Sequence, residues 1–239
     1  MEIKNIKAET RCLKDLEEVI FDQEWLKENL RLNPVLYYLY RDLAENKKDR
    51  QLIVENNLRY DITVMPAYKL GKEFVKTLGH DHPFAPKANL TYPEIYEVLE
   101  GQAIFLLQDS KNDKIKDVYV IKARENDKII VPPNYEHLII NPSPLTLKTC
   151  NWVCREFSSN IYKPFRAKHG FCYFALSENN EVIWKKNENY QEIPKIRFIE
   201  AERMLKQFNL SPDKKIYEFI SEPRKLDFLK NPQNYSWGN

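Results

Sequence analysis

Short runs of hydrophobic residues dominate the middle of the chain, from about residue 60 to residue 184. The run at residues 103–107 is apolar enough to predict a buried strand. The turn-forming residues that separate the runs are Pro66, Gly71, Pro83, Gly101, Asn112, Asp113, Pro132, Pro133, Pro142, Pro144, Asn179 and Asn180. This density of short strands and turns predicts a β-barrel or a β-sandwich.

The two ends of the chain have a different pattern. Residues 13–32 space their apolar side chains partly as an amphipathic helix does, and residues 34–40 predict an extended aromatic segment. Residues 201–208 predict a short helix, and the polar stretch that follows carries aromatic side chains suited to docking on a barrel. We therefore expect one structural unit in three parts: an N-terminal helix and extended arm packed on the barrel (1–57), the barrel itself (58–189), and a C-terminal extension (190–239).

Composition and charge narrow the class of protein. A chain of 239 residues can bury one good core, and β-barrels of this size are commonly a single domain. Its 37 basic and 35 acidic residues give a net charge of +2, which does not indicate nucleic acid or an anionic membrane as a partner. There is no apolar run of the ~20 residues that a membrane span needs, no signal-peptide pattern, and no paired cysteine motif. We expect a cytoplasmic protein with buried thiols.

Three of the four histidines fall into one pattern with a glutamate. His80 and His82 are two residues apart, so in an extended segment both side chains project the same way. Glu94 opens a clear strand, and His137 follows a strongly apolar run. Imidazole and carboxylate ligands suit Fe, Mn, Ni, Co or Zn and leave room for water or substrate. The spacing predicts a site for one divalent metal ion, whereas His169 is expected to be an ordinary loop residue.

Two further residues extend this pattern. Glu94 is followed after six residues by Gly101, and His137 is followed after three residues by Asn141. With the two closely spaced histidines, these spacings resemble the paired motifs of the cupin superfamily. The resemblance implies a double-stranded β-helix, or jelly-roll barrel, that is mainly β with short helical flanks at both ends.

One branch of the superfamily resembles this chain more closely. The gap between the second histidine and the glutamate is longer than the usual cupin spacing, and Asn126 and Asn134 stand where that pattern has glycine. Asparagine tolerates the left-handed backbone better than other non-glycine residues. Residues 79–83 and 92–101 are similar to the cupin-type glucose-6-phosphate isomerases of archaea and some bacteria, and the resemblance spans roughly residues 58–185.

This resemblance implies a metal-dependent aldose–ketose isomerase that interconverts glucose 6-phosphate and fructose 6-phosphate. The ligands implied for one divalent ion, with iron favoured, are His80, His82, Glu94 and His137. The implied catalytic residues are Glu94, Tyr96 and Tyr162. The implied phosphate-binding groups are the hydroxyls of Thr63, Thr77 and Tyr135 and the main-chain amide of Gly79. Family members form dimers, so a homodimer is expected. Strand alternation turns Glu97 away from the face of Glu94 and Tyr96, so Glu97 is not expected to be a ligand.

Alternative functions remain open at this point. Another cupin enzyme with the same ligand set, such as a dioxygenase, would need iron and consume O₂. A non-catalytic sugar-binding cupin needs no metal, so the full ligand set argues against it. Thr63, Thr77 and the run at residues 92–96 favour the isomerase over the dioxygenase. Proton transfer with Glu94 as base and a hydride shift both remain possible mechanisms.

Overall fold

A computed structural model describes residues 3, 6–86, 88–111, 114–156, 163–179 and 181–237. Its strands are β1 (Glu9–Cys12), β2 (Val35–Tyr40), β3 (Leu58–Met65), β4 (Lys69–Leu70), β5 (Glu73–Phe74), β6 (Glu94–Glu100), β7 (Gln102–Lys111), β8 (Lys114–Arg124), β9 (Lys128–Val131), β10 (Glu136–Ile140), β11 (Leu147–Cys154), β12 (Tyr173–Glu178), β13 (Glu181–Lys186) and β14 (Arg197–Phe198). The strands are concentrated in the region where the sequence predicts them.

The helical segments are short and lie at the edges of the strand-rich region. The α-helices are α1 (Gln23–Asn29), α2 (Lys47–Glu55) and α3 (Lys163–Ala167), and the 3₁₀-helices are Leu13–Val19, Ala201–Phe208, Ile216–Ser221, Pro223–Leu229 and Pro232–Asn234. Helix α1 begins after Asp22, whose side chain accepts a hydrogen bond from the amide of Trp25, as expected of an N-cap. No helix in the described part of the chain is long and apolar enough to cross a membrane.

The strands form three sheets, and almost every pair is antiparallel. The sheet orders are β1-β2-β3-β11-β6-β9, β10-β7-β8-β14 and β13-β12-β5-β4. Strand β11 lies between β3 and β6, so a strand from late in the chain is inserted between two earlier strands. Such returning connections are typical of jelly-roll barrels. The prediction of a mainly β, cupin-type barrel with short helical flanks is confirmed.

The barrel core explains the continuous apolar run of β7. Phe105 and Leu107 point into a buried cluster that also contains Tyr96 and Val98 of β6. The alternate residues of β7, such as Leu106, point to the opposite face and are also fully buried, under β12 and α3. Because both faces of residues 103–107 are covered, this part of β7 has no polar face.

Both ends of the chain pack on the six-stranded sheet. The aromatic segment before residue 41 forms β2, as predicted, and pairs with β3. The C-terminal extension lies on the outer face of the sheet, where the indole Nε1 of Trp152 donates to the carbonyl of Ile216 at 2.8 Å. The amide of Ile216 donates to Glu97 at 2.6 Å. Glu97 therefore points away from Glu94, as strand alternation predicts.

Candidate metal centre and active-site cavity

Four side chains from three separate segments meet inside the barrel. Glu94 is the first residue of β6, and His137 is the second residue of β10. His80 and His82 lie before β6 in a segment that is not a regular strand. This segment is nevertheless extended at His80, whose amide and carbonyl both bond to the main chain of His137 at 3.0 Å. This backbone pairing brings His80 and His82 next to His137.

The ligand atoms of these four residues converge on one point. The Oε2 atom of Glu94 lies 3.2 Å from Nε2 of His82 and 3.3 Å from Nε2 of His137. Nε2 of His80 is 3.1 Å from Nε2 of His82 and 3.9 Å from the carboxylate. Two ligands ~2.1 Å from a common ion lie roughly 3.0 Å apart at octahedral angles and roughly 3.4 Å apart at tetrahedral angles. All four ligand atoms lie within 4.8 Å of one another, so the cluster could hold a metal ion.

The electrostatics of the cluster also suit a cation. Oε2 of Glu94 is buried without a hydrogen-bond donor, which is costly for a carboxylate. Burial alone would raise the pKa of Glu94, but the neighbouring His137 and His82 outweigh it and hold the pKa below its usual range. Burial, followed by neighbouring imidazoles, lowers the pKa of His80 well below its ordinary value. Burial likewise lowers the pKa of His137, so the deprotonated form that a metal-binding histidine needs is favoured at His80 and His137.

One contact behind the cluster orients His82, and a pair of hydrogen bonds joins two of the segments that carry the cluster. Nδ1 of His82 lies 2.7 Å from the carbonyl oxygen of Tyr92, which turns Nε2 toward the cluster. Thr91 and Asn134 exchange hydrogen bonds of 3.1 and 2.6 Å, which tie the segment before β6 to the turn before β10. Asn134 has a φ of 66°, so asparagine occupies the left-handed conformation for which the cupin pattern uses glycine.

A cavity that is open to solvent contains the cluster in its lining. Thr63, Thr77 and Gly79, predicted to bind phosphate, all line it. Tyr96 lines it too, and its hydroxyl is 3.1 Å from Nε2 of His137. Burial and the negative charge of Glu94 raise the pKa of Tyr96 well above its ordinary value, so the tyrosine remains a neutral hydrogen-bonding group.

Two other residues considered from the sequence, Tyr135 and His169, lie away from this cavity. Tyr135 points away from this cavity, because its hydroxyl donates to Asp117 at 2.8 Å. It precedes the start of β10, so strand alternation does not place it on the face of His137. Tyr162 lies outside the described residues. His169 lies in the turn after α3, with Nδ1 3.1 Å from the carbonyl oxygen of Glu18, remote from the metal centre as expected.

Two arginines that the sequence analysis did not identify also line the cavity. Arg59 is two residues from Asp61 and four residues from Thr63 on β3, so the three side chains share one face of the strand. Arg41 follows β2 directly and reaches the same cavity. Arg59 could have been identified from the sequence, because alternation along β3 puts it on the same face as Thr63. Arg41 could not, because its position depends on the pairing of β2 with β3.

The sequence is also similar to those of known proteins. The family model for glucose-6-phosphate isomerase matches residues 10–193. The glucose-6-phosphate isomerase of Pyrococcus furiosus is 31% identical over 193 residues, which cover 77% of this chain and 92% of the relative. Those of Thermococcus litoralis and Thermococcus kodakarensis are 27% and 31% identical, over 79% and 80% of this chain and 90% and 91% of their own lengths.

The similarity to a solved oxalate oxidase is more distant. This oxidase aligns with 54% of this chain and 56% of its own, at 15% identity and a TM-score of 0.39, which is too distant to bear on chemistry. The family match covers most of the chain and includes all four residues of the metal cluster. The chain therefore belongs to the glucose-6-phosphate isomerase family, in its cupin-type branch.

Proposed function

We propose that this protein interconverts glucose 6-phosphate and fructose 6-phosphate with a divalent metal ion held by its three histidines and Glu94. The observation that carries the proposal is the position of the metal cluster, which borders a cavity that also contains two threonine hydroxyls and a glycine at the predicted phosphate positions. Family membership supports the same reaction. The proposed ion is one per chain, with iron favoured over manganese, nickel, cobalt or zinc.

The reaction needs two sugar oxygens held in place and a hydrogen moved between neighbouring carbons. When bound, the metal would hold those oxygens and stabilise the negative charge that develops on them. The carboxylate of Glu94 belongs to the cluster that would hold the sugar oxygens, so it is the candidate base beside the sugar carbon. The neutral hydroxyl of Tyr96, 3.1 Å from Nε2 of His137, is suited to hydrogen bonding with a substrate oxygen at the same point.

The opposite end of the substrate carries the phosphate group. We propose that the hydroxyls of Thr63 and Thr77 and the amide of Gly79 bind it. A phosphate needs several converging N–H and O–H donors, and these residues line the cavity that contains the metal cluster. The hydroxyl oxygen of Thr77 accepts a hydrogen bond from the amide of Ile139 at 3.0 Å, which orients its proton for donation elsewhere.

The direct test is an assay of fructose 6-phosphate conversion to glucose 6-phosphate. The purified protein is assayed before and after chelation, and then with Fe, Mn, Ni, Co and Zn returned one at a time. We expect chelation to abolish turnover and at least one metal to restore it. Tight binding of a metal without turnover in any of these states would refute the isomerase and leave dioxygen chemistry as the next reaction to assay.

The route of the hydrogen can be determined separately. In D₂O, proton transfer through Glu94 exchanges the transferred hydrogen with solvent, so deuterium enters the sugar next to the carbonyl carbon. A hydride shift carries the original hydrogen across without exchange. We expect deuterium incorporation if Glu94 acts as base, and unlabelled product at full turnover would exclude that role.

A further inference from the structure

Two arginines share one buried carboxylate in the wall of the active-site cavity. Nη1 of Arg41 donates to Asp61 at 3.0 Å. Nε of Arg59 lies 3.1 and 3.0 Å from the two oxygens of the same carboxylate, and its Nη2 lies 2.9 Å from one of them. Asp61 also accepts from the amide of Asp42 at 2.9 Å, and its side chain is only 3% exposed. The carboxylate holds both guanidinium groups in defined positions.

Strand register places this group two strands away from Glu94 in the same sheet, along one wall of the cavity. On adjacent strands, Tyr96 of β6 pairs with Asn151 of β11, which pairs with Asp61 of β3. Arg59 lies two residues before Asp61 on β3, and Glu94 lies two residues before Tyr96 on β6. These two side chains therefore occupy the next row of residues across the sheet, on the same face. Paired strands are about 4.8 Å apart, so two strand spacings separate the backbones by about 10 Å. This span suits an extended sugar with its carbonyl end at Glu94 and its phosphate toward the arginines.

The charges in this wall favour an anion. With a divalent ion bound as proposed, the cavity would carry the charges of two guanidinium groups and the metal against the carboxylates of Asp61 and Glu94. Glu9, on the outer side, is 54% exposed and lies 3.5 Å from Nε of Arg41, but it also lies 3.7 Å from Arg11. Because Glu9 is more than half exposed, solvent screens its charge from both arginines. The planar guanidinium matches phosphate oxygens in geometry and cannot lose its charge at any physiological pH.

We propose that Arg41 and Arg59, positioned by Asp61, recognise the phosphate dianion of the substrate and select phosphorylated over neutral sugars. This inference rests on the proposed isomerase function. Threonine hydroxyls and a main-chain amide provide geometry but no charge, so they bind a neutral ligand and an anion with less discrimination. The arginine pair supplies the missing charge. Because it acts at the end of the substrate remote from the reacting carbons, it contributes to binding far more than to the chemical step.

The test uses the metal-loaded full chain with Arg41→Gln, Arg59→Gln and Arg59→Lys. We expect either glutamine variant to raise KM for fructose 6-phosphate by roughly 10- to 100-fold, with kcat changed less than about threefold, because a charged hydrogen bond to the phosphate is lost. Inorganic phosphate, used as a competitive inhibitor, should weaken by the same factor. Arg59→Lys keeps the charge and should recover part of the loss. Arg11→Gln is the matched control, because Arg11 lies outside the cavity, and it should leave KM unchanged.

A second readout separates this proposal from the proposed function. Calorimetric titration of the same proteins with inorganic phosphate measures the subsite without turnover. If the chain has no isomerase activity but binds phosphate and loses that binding in the glutamine variants, the function is wrong and the anion subsite stands. Folded, metal-loaded glutamine variants with unchanged KM and unchanged phosphate affinity overturn the subsite. A loss of kcat without a change in KM also overturns it, since that result assigns the arginines to the chemical step.

Discussion

Gly79 is the position where one added methyl group should have the largest effect for its size. Its φ of +81° lies in the left-handed region, where an L-residue costs about 1–2 kcal/mol. An added Cβ would lie 2.3 Å from Cε2 of Phe171, and 3.1 Å from two further ring atoms. Phe171 is 1% exposed and stacks on Phe165 with centroids 4.9 Å apart, so its ring cannot move aside without repacking. Overpacking of this kind costs about 1–3 kcal/mol, which gives a total of about 2–5 kcal/mol for Gly79→Ala.

Urea unfolding of the metal-free protein measures this cost. We expect a lower midpoint with an unchanged slope, because the folded and unfolded states expose the same surface as before. The double variant Gly79→Ala with Phe171→Leu separates the two contributions. Removing the ring should recover the ~1–3 kcal/mol of overpacking as a coupling energy, while the backbone strain remains. Phe171→Leu alone supplies the reference for that cycle.

The same substitution should reach the active site. Gly79 lines the cavity and directly precedes His80, so displacement of the segment shifts one metal ligand and the amide proposed to bind phosphate. We expect weaker metal binding in Gly79→Ala and partial recovery in the double variant. A Gly79→Ala protein within about 0.5 kcal/mol of the wild type, with no coupling to Phe171, would show that the segment relaxes freely and would refute the packing argument.

Three further substitutions test other parts of the structure. Glu94→Gln removes the carboxylate of the metal cluster. A metal at 100 times its Kd stabilises the folded protein by ~2.7 kcal/mol, and this gain should vanish from thermal melts of the variant. A metal-dependent rise in Tm that persists in the variant would exclude the site. Trp152→Phe deletes the buried hydrogen bond to the carbonyl of Ile216 and should cost about 1–3 kcal/mol in urea unfolding, and an unchanged midpoint would contradict this. Burial alone would raise the pKa of Asp42, but hydrogen bonding and the charge of Arg155 lower it. Its stabilisation is therefore present above the ordinary pKa and lost as pH falls, so the deficit of Asp42→Asn should be largest near pH 7 and shrink in acid. A deficit that does not change with pH would contradict that assignment.

The convergence of His80, His82, Glu94 and His137 could be predicted because it depends largely on short-range geometry. His80 and His82 need only a locally extended backbone to share a face, and the main-chain pairing of His80 with His137 provides it without a regular strand. Glu94 opens a strand whose apolar pattern is unambiguous. The left-handed turn at Asn134 also follows from local chemistry, since asparagine accepts that conformation at low cost. Features that depend on only a few neighbouring residues can be predicted from a sequence.

Features that depend on long-range register could not be predicted in the same way. Tyr135 is two residues from His137, but it lies before the first residue of β10, so strand alternation does not put both side chains on one face. Arg41 reaches the cavity only because β2 pairs with β3 in one particular register. The contact between Ile216 and Glu97 joins residues 119 apart in the chain. A sequence pattern gives the phase of each strand, but the neighbours of each strand come from the assembled sheet.

Strand β6 connects the metal centre to the C-terminal extension. Its inner face carries Glu94, and its outer face carries Glu97, which is 1% exposed and accepts the amide of Ile216. Lys128, on the neighbouring strand, is equally buried and donates to the carbonyl of Pro212 at 2.6 Å. Two charged groups buried at one contact are costly unless both are bonded, so the extension is required to keep them satisfied. A metal site needs ligands on rigid elements, and the extension covers the back of the strand that carries one of them. Although it lies almost entirely beyond the family-matched residues 10–193, the extension therefore supports the active site from behind.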